Sequence, residues 1–415
     1  MRVFKFGGAS VKDAKSIQNV ANVLRHEGTD NVLVVISAMG KMTNAFEKVV
    51  HAYISNNQLK EALENVVNFH ENIIHDLFAK DHYIHEKVAI LFGKLSGFFA
   101  QNKNGDYDFI YDQVVCFGEL ISTSIVSTYF SEIGIANNWL DVRNLIKTDS
   151  TFRAAKVDWN QTKECINDQI DREKLNIVQG FISSNNDNVT TTLGREGSDF
   201  TAGIFAYCLE AESVTIWKDV DGVLNADPRV FDETTLLEQI SYEEAIEMSF
   251  YGASVIHPKT IKPLQNLEIP LHVRSFIDFE KTGTTVSKGK SIYPEIPCFI
   301  VKKNQILLSI SSLDFSFMVE SNISHIFKKL AEYQLKVNLI QNSAISFSVC
   351  IEDNFYKFRH FLQEMQSLYK IDYTEELSLF TIRHFNEESR KIILNKGVSL
   401  LTQINKETLQ ITIKE

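Results

Sequence analysis

Cysteine is scarce in this chain: its five copies stand far apart, at Cys116, Cys165, Cys208, Cys298 and Cys350. Their odd number, and the lack of any CxxC or mixed Cys/His spacing, argue against a disulfide framework and a zinc site. A reducing cytoplasm is the compartment this usage implies. No apolar run reaches the roughly 18 residues that a membrane-spanning helix needs. The chain also enters the strand-like Val3-Phe4-Lys5-Phe6 without the apolar core of an export signal. Neither a membrane nor an export route is expected. Positive charge is in deficit too, with 42 Lys and Arg against 53 Asp and Glu and a net charge of −11. That balance opposes a nucleic-acid partner and requires a local cluster of Lys and Arg to draw any anionic substrate. Missing as well is a Ser/His/Asp arrangement or an activated-cysteine setting, so no side-chain nucleophile offers itself.

At 415 residues the chain exceeds what one hydrophobic core supports, and two or three domains follow. The N-terminal part alternates strand-like runs with helical periodicity: Val3–Phe6, a helix with Ala14, Ile17, Val20, Ala21 and Leu24 on one face, then Val32–Ile36. This βαβ pattern predicts an α/β domain over residues 1–285, with a buried, mostly parallel sheet sandwiched by helices. Residues 59–100 read as an insertion of helices, and strands return at Ile135–Leu140, Ile177–Phe181, Val189–Leu193 and Val214–Trp217. Turn-rich pieces around Gly283-Thr284-Thr285 and Pro294–Pro297 place a linker over residues 286–304. Residues 305–415 then run strand, helix, two strands, helix (Phe355–Leu368) and strand (Leu377–Arg383), followed by a shortened second copy. Periodicity alone makes this a ferredoxin-like α+β tail.

Five separated segments carry the candidate chemistry. Lys5-Phe6-Gly7-Gly8-Ala9-Ser10 ends a strand shortly before a helix. Its glycines let backbone N–H groups approach phosphate oxygens and Lys5 adds a point charge, although a tight turn with a solvated Lys5 explains it as well. The next buried strand ends in Ser37-Ala38-Met39-Gly40, with Thr43 at a helix start. Substrates of open α/β sheets gather at such carboxyl ends, but capping and turn formation account equally for Ser37 and Thr43. Glu119, after Phe117-Gly118, reads as the beginning of a helix, where the dipole favours a carboxylate whether or not it binds anything. In Gly194-Arg195-Glu196-Gly197-Ser198-Asp199, Arg195 offers a fork suited to a carboxylate. Asp199 leads the helix Phe200–Leu209 as either ligand or cap. Asp219-Val220-Asp221-Gly222 follows a strand and closes with Asp227-Pro228-Arg229. Asp221 suits a ribose or a metal-bound water and Arg229 suits phosphates, with a solvated acidic turn as the alternative. Finally, His257-Pro258-Lys259 opens a helix, so Lys259 stands where dipole and ammonium both favour anions and His257 reads as a packed, orienting residue.

Together and in this order, the five segments resemble those of the aspartate kinases, members of the amino acid kinase family. The match is most specific through Tyr251–Ile261 and Leu193–Thr201. The tail resembles a pair of ACT modules, the last one shortened. The resemblance implies ATP-dependent phosphorylation of the L-aspartate β-carboxylate, the first step toward lysine, threonine and methionine, with ATP and Mg²⁺. It gives Lys5, Asp199 and Lys259 catalytic roles. Ser37, Thr43, Glu119 and Arg195 would bind substrate, Glu119 taking its ammonium group. Gly7, Gly8, Ser10, Asp219, Asp221, Arg229 and Lys259 would bind the nucleotide. Asn338, Ile340 and Gln341 would contact a lysine or threonine effector, and two copies would pair through the tail without a fused homoserine dehydrogenase. Departures from the family pattern are Glu196 for glycine, Phe200 for Thr or Tyr, Lys218 for threonine, and Gln341 and Asn342 in the tail.

The implied chemistry explains the missing base. A carboxylate with a reference pKa near ~4 is already the nucleophile at neutral pH. Only charge repulsion and in-line placement remain to be managed. Two other readings stay open: a kinase of the same fold acting on another carboxylate or a nucleoside monophosphate, and a non-catalytic amino-acid sensor. An N-acylated substrate would have no use for Glu119 as an ammonium acceptor, and a sensor would have no need to keep Lys5, Arg195, Asp199 and Lys259 together.

Overall fold

The computed structural model describes residues 1–102, 105–253, 256–289, 291–314 and 316–415. In chain order come β1 (Arg2–Phe6), α1 (Ala14–Glu27), β2 (Val32–Ile36), α2 (Met42–Ile54), α3 (Leu59–Leu77), α4 (Ile84–Gln101), α5 (Tyr107–Glu132) and β3 (Asn137–Leu140). They are followed by α6 (Trp159–Gln169), β4 (Leu175–Gln179), β5 (Ile182–Ser184), β6 (Thr190–Thr192), α7 (Gly197–Leu209) and β7 (Ser213–Lys218). Next are β8 (Gln239–Ser241), α8 (Tyr242–Tyr251), α9 (Pro258–Asn266), β9 (Leu271–Ser275), β10 (Thr284–Ser287) and β11 (Ile292–Tyr293). The tail contains β12 (Cys298–Ser312), α10 (Glu320–Glu332), β13 (Lys336–Asn342), β14 (Ser346–Glu352), α11 (Phe358–Met365), β15 (Tyr369–Arg383), α12 (Glu387–Leu394), β16 (Val398–Ile404) and β17 (Thr408–Lys414). Two compact units result. The first comprises Met1–Val223, Leu236–Ile246 and Ile256–Tyr293, and the second takes in Leu224–Thr235, a stretch from Glu247 and Pro294–Glu415.

The first unit is built on a nine-stranded sheet of order β11-β8-β10-β9-β7-β1-β2-β4-β3 among the described residues. Its centre is parallel: β1 pairs with β2 and β7, and β2 with β4. β2 and β4 are buried along their whole length; β2 reads as an unbroken apolar run for that reason, whereas β4 carries Asn176 and Gln179 and spans Leu175–Gln179 rather than the expected Ile177–Phe181. On one face Phe4, Phe6, Val32, Val34, Ile36, Ile177 and Trp217 share a core with residues of α1 through α5. α7 contacts β1, β2 and β7. Asp13 starts α1 by accepting a hydrogen bond from the Ser16 N–H at 2.7 Å, and Gly28 ends it at φ 85°, a conformation glycine adopts without strain. By length and composition α5 alone among the described helices could cross a membrane, yet 89% of that window is buried inside the protein. Its apolar character is that of a helix packed on several sides.

The second unit differs from the expected succession of short strands. Six strands form one antiparallel sheet, β13-β14-β12-β15-β17-β16, and two 15-residue strands, β12 and β15, run through both modules. Each had been legible only in part, as Gln305–Ser311 and Leu377–Arg383. Register shifts between Lys302 and Leu307 break the alternation of β12, and Asn304 there takes φ 57°. One side holds Leu308, Ile310, Phe347 and Phe361 in the first module's core, and Phe380, Ile382, Leu409 and Ile411 form the second. Residues 286–304 are therefore no plain linker: β10 ends in them, β11 lies within them and β12 starts there at Cys298. Thr284 and Thr285 belong to β10 of the large sheet rather than to a boundary.

Trp217 gives the first unit's core a measurable test. Its ring stacks on Phe6 and meets Phe4 edge-on, both at 6.0 Å, under the Arg274 guanidinium at 4.7 Å. Trp217→Ala is expected to lower the unfolding free energy in urea by about 3–5 kcal/mol. Trp217→Phe should cost less than about 1.5 kcal/mol, because the buried indole N–H makes no hydrogen bond.

Candidate active site

The carboxyl ends of β1, β2, β4 and β7 open onto one cavity of about 480 Å³, the location where open α/β sheets bind their ligands. Lys5, the last but one residue of β1, is paired in register with Val35 of β2 and Ile216 of β7, so its position is fixed from both sides. Its Nζ lies 2.6 Å from Asp199 Oδ1, and both residues are buried. Burial pushes the Asp199 carboxyl up, but the ammonium groups of Lys5 and Lys218 more than reverse this and hold it below its ordinary value. Asp199 is not the cap of α7: the helix starts two residues earlier, at Gly197, with Glu196 in the capping position. Glu196 there takes φ 53°, a left-handed conformation in which glycine carries no strain.

The turn after β1 closes against the turn after β2. The Gly40 N–H donates to the Gly8 carbonyl at 2.9 Å and the Ser37 N–H to the Phe6 carbonyl at 3.1 Å. A Cβ on Gly8 would stand 2.4 Å from the Gly40 oxygen, so no other residue fits this approach. Glu119 is a correction to the sequence reading: it sits midway along α5, far from any helix start, and the dipole argument does not apply to it. Phe117-Gly118 reads as a break, but Gly118 instead lets Phe46 and Ala38 come within 3.2 and 3.3 Å of where its Cβ would be. The Glu119 carboxylate receives the Ala38 N–H and the Thr43 hydroxyl, while burial lifts its pKa to about 8. Its second oxygen, Oε2, is buried without a hydrogen-bond partner.

Lys5, Gly8, Ser37, Thr43, Glu119, Arg195 and Asp199 thus line a single cavity. Other expected residues do not line it, although a Cβ on Gly7 would lie 3.3 Å from Lys5 Nζ. Gly7 closes the turn by accepting from the Ser10 N–H at 2.9 Å, and Ser10 itself is buried. Asp219 is exposed, and Asp221 pairs with Lys281 at 2.8 Å. Arg229, in the second unit, forks onto Asp227 at 2.7 Å. Lys259 stands in the first turn of α9, which His257 caps through Nδ1, and lines a separate cavity of about 340 Å³ beside Trp159, Phe200 and Tyr207. Of the tail residues, Ile340 and Gln341 are exposed on β13, while Asn338 accepts from Lys302 Nζ at 2.8 Å and donates to Gln305 at 2.7 Å.

Sequence reasoning missed Tyr111 and Arg153 in the cavity wall. The Arg153 guanidinium lies over Tyr111 at 4.4 Å and Tyr107 at 5.3 Å, with Glu47 at 3.5 Å and Asp108 at 3.4 Å. The Arg153 backbone N–H donates to Asp112 at 3.0 Å, a carboxyl that burial raises to about 6. Nothing in the surrounding sequence marks it, since its position depends on a left-handed backbone at φ 64°. Lys218 was noticed only as a departure from pattern; strand parity with Lys5 was the signal that locates it.

Because Glu119 binds its proton more tightly folded than unfolded, its contribution to stability is full below an ordinary pKa of 4.5 and is lost as pH rises to about 8. Glu119→Gln, which mimics the protonated form, is expected to melt like the wild type at pH 5 and progressively above it up to pH 8, by at most ~1.4 kcal/mol per pH unit. Identical melting curves across that range would contradict the assignment.

Comparison with known proteins agrees with this geometry. The amino acid kinase family profile matches residues 1–275. The lysine-sensitive aspartokinase 3 of Escherichia coli is 30% identical over 392 residues, covering 92% of this chain and 86% of that enzyme. The chloroplastic bifunctional aspartokinase/homoserine dehydrogenase 2 of Arabidopsis thaliana is 30% identical over 364 residues, 84% of this chain, which spans only 39% of that protein's length. E. coli aspartokinase III in complex with lysine and aspartate, in its T state, matches with a TM-score of 0.84 at 28% identity over 100% of this chain and 96% of its own. The same enzyme with aspartate and ADP, in its R state, gives 0.81 at 27% identity with the same coverage. The chain belongs to the amino acid kinase family, on its aspartokinase branch.

Proposed function

We propose that this chain transfers the γ-phosphoryl group of ATP to the β-carboxylate of L-aspartate. The observation that carries the reading is the orphaned, buried Oε2 of Glu119 on the same cavity as Arg195 and the Lys5–Asp199 pair. A buried acceptor without a donor is a standing cost of about 1–3 kcal/mol unless a ligand supplies one, and an ammonium group is the donor that suits a carboxylate. Arg195 then forks onto the α-carboxylate, which leaves the β-carboxylate directed at Lys5. Ser37 and Thr43 close the substrate end, and Gly8 allows phosphate oxygens to reach backbone N–H groups. Lys259, at the N-terminus of α9, is assigned to the nucleotide's phosphates. That the E. coli relative binds aspartate and ADP supports both assignments.

No proton has to be removed from the nucleophile. The β-carboxylate oxygen attacks the γ-phosphorus, the bond to the β,γ-bridging oxygen breaks, and its electron pair leaves with ADP. Lys5 stabilises the transferring oxygens, while Asp199 positions Lys5. Among the described residues no three His, Cys, Asp or Glu side chains converge on a metal site. Mg²⁺ would accordingly take its ligands from phosphates and water, as it does in most nucleotide sites, and would neutralise phosphate charge there.

For the tail we assign lysine as effector, on the strand bearing Asn338, Ile340 and Gln341. The E. coli enzyme's lysine complex supports this. So does the wiring of Asn338 within the second unit, because Lys302 joins it at 2.8 Å to the Phe250 carbonyl of α8 at 3.4 Å. A homodimer through the tail completes the reading, since β13 and β16 are the two outer strands of the six-stranded sheet.

The test traps the acyl phosphate as a hydroxamate with ATP, Mg²⁺ and L-aspartate or L-glutamate. Product from aspartate alone is expected, falling when lysine is added. Lys5→Met should lower turnover by about 10²-fold or more with far-ultraviolet circular dichroism unchanged. Wild-type protein that binds amino acids but forms no hydroxamate would turn the reading toward a sensor.

A further inference from the structure

We infer that Lys218 is a second catalytic cation for the transferring phosphoryl group, acting alongside Lys5. The inference rests on the phosphoryl-transfer reading above and deepens it by naming a residue that the sequence motifs leave out.

Strand geometry puts the two lysines on one side of the sheet. Lys5 of β1 is the register partner of Ile216 of β7, and side chains alternate along a strand, so Ile216 and Lys218 face the way Lys5 does. Trp217, between them, points to the opposite face, where it stacks on Phe6. α7 contacts β1 and β7, and carries Asp199 to Lys5 at 2.6 Å. Both ammonium groups act on this carboxylate. Both also line the same cavity, with Lys218 at the final residue of β7, where the strand meets the cavity floor.

Charge decides what this arrangement can do. A lone Lys5–Asp199 pair is neutral as a unit and gives little field to an incoming anion. With Lys218 on the same cavity, two ammonium groups accompany one carboxylate where the γ-phosphoryl group and the aspartate carboxylate must be brought together against their repulsion. In the transition state the negative charge is spread over three equatorial oxygens, which two separate cations serve better than one. As the bond from the β-carboxylate oxygen to phosphorus forms and the bridging bond breaks, Lys218 takes up charge on an equatorial oxygen. No proton moves. Asp199 then has a positioning role for two ammonium groups, which accounts for a buried carboxylate in a reaction that requires no base.

The experiment compares Lys218→Met and Lys218→Arg with the wild type in the hydroxamate assay, and measures by calorimetry the binding of aspartate, ADP and the non-hydrolysable β,γ-imido analogue of ATP. Lys218→Met is expected to lower kcat by about 10²-fold, to leave aspartate and ADP dissociation constants within about threefold, and to weaken the analogue more than ADP. Lys218→Arg should recover at least about tenfold in kcat, because a cation is restored at the same strand position. Lys218→Met turning over within threefold of wild type, or losing ADP, analogue and melting temperature in parallel, would overturn the inference. Lys5→Met separates the two levels of the argument: activity lost there but kept in Lys218→Met removes only the role of Lys218. Should the wild type form no acyl phosphate at all, the phosphoryl-transfer reading fails, and an unchanged preference for analogue over ADP in Lys218→Met then removes the Lys218 role as well.

Discussion

A buried ion pair between Lys5 and Asp199, 2.6 Å apart, ties the middle strand of the large sheet to the first turn of α7. Placing two charges out of water costs several kcal/mol, and such pairs often add little net stability. Their value here is positional. β1 cannot slide, because it is held in parallel register by β2 on one side and β7 on the other. α7 in turn presents the loop Gly194–Ser198 at its start. Fixing Asp199 against Lys5 helps hold Arg195 and Glu196 at the ends of the strands, together with the Phe181 N–H that donates to Thr201 of α7 at 3.0 Å.

Stability is given up around the same cavity. Burial pushes the Glu119 carboxyl up to about 8 from its ordinary 4.5, and its Oε2 lacks a hydrogen-bond partner, as does Oε2 of Glu196. Glu196 also occupies a left-handed backbone position, which costs an ordinary residue about 1–3 kcal/mol. These penalties fall on residues of α5 and of the loop before α7 that line the same cavity, whereas the apolar face with Phe4, Phe6, Val34 and Trp217 is fully packed. A rigid apolar floor under a strained polar wall is what allows unsatisfied groups to persist until a ligand satisfies them.

The sequence carried the fold wherever burial was simple. β2 is buried throughout and is plain as an apolar run, β4 with its Asn176 and Gln179 is legible only in part, and the glycine turn after β1 is plain because a Cβ at Gly8 has nowhere to go. It was least legible where local signals pointed the wrong way. Gly118 mimics a helix break yet lies inside 26 continuous helical residues, since it serves packing against Phe46 and not termination. β12 and β15 were cut short by irregularities at residues 302–307 and at Glu376, whose φ of 61° interrupts the alternation on which strand reading depends. Arg153 was invisible for a different reason: its partners Tyr107, Tyr111, Glu47 and Asp108 come from two distant helices, so only the folded chain assembles them.

Electrostatics bears on how an acidic chain would handle the two anions of the proposed reaction. The cavity wall holds four cations, Lys5, Arg153, Arg195 and Lys218, against three carboxyls, Glu119, Glu196 and Asp199. Arg153 is already paired with Glu47 and Asp108, so with burial raising the Glu119 carboxyl to about 8, Lys5, Arg195 and Lys218 are the cations that stand beside the Glu196 and Asp199 carboxyls, inside a chain of net −11. At physiological salt, charges more than about 8 Å away across solvent are largely screened, whereas groups within the cavity act on one another with little water between them. The remote acidic surface thus has small influence on the reacting pair, and the balance of a few residues around Asp199 has a large one. On the reading proposed above, that balance changes as substrate enters: an ammonium group at Glu119 would draw off its proton and add a carboxylate to the wall, while Arg195 would be taken by the α-carboxylate. Under that reading Lys5 and Lys218, both on the cavity and both acting on Asp199, are cations that the phosphoryl group would meet where the proposed reaction has repulsion to overcome.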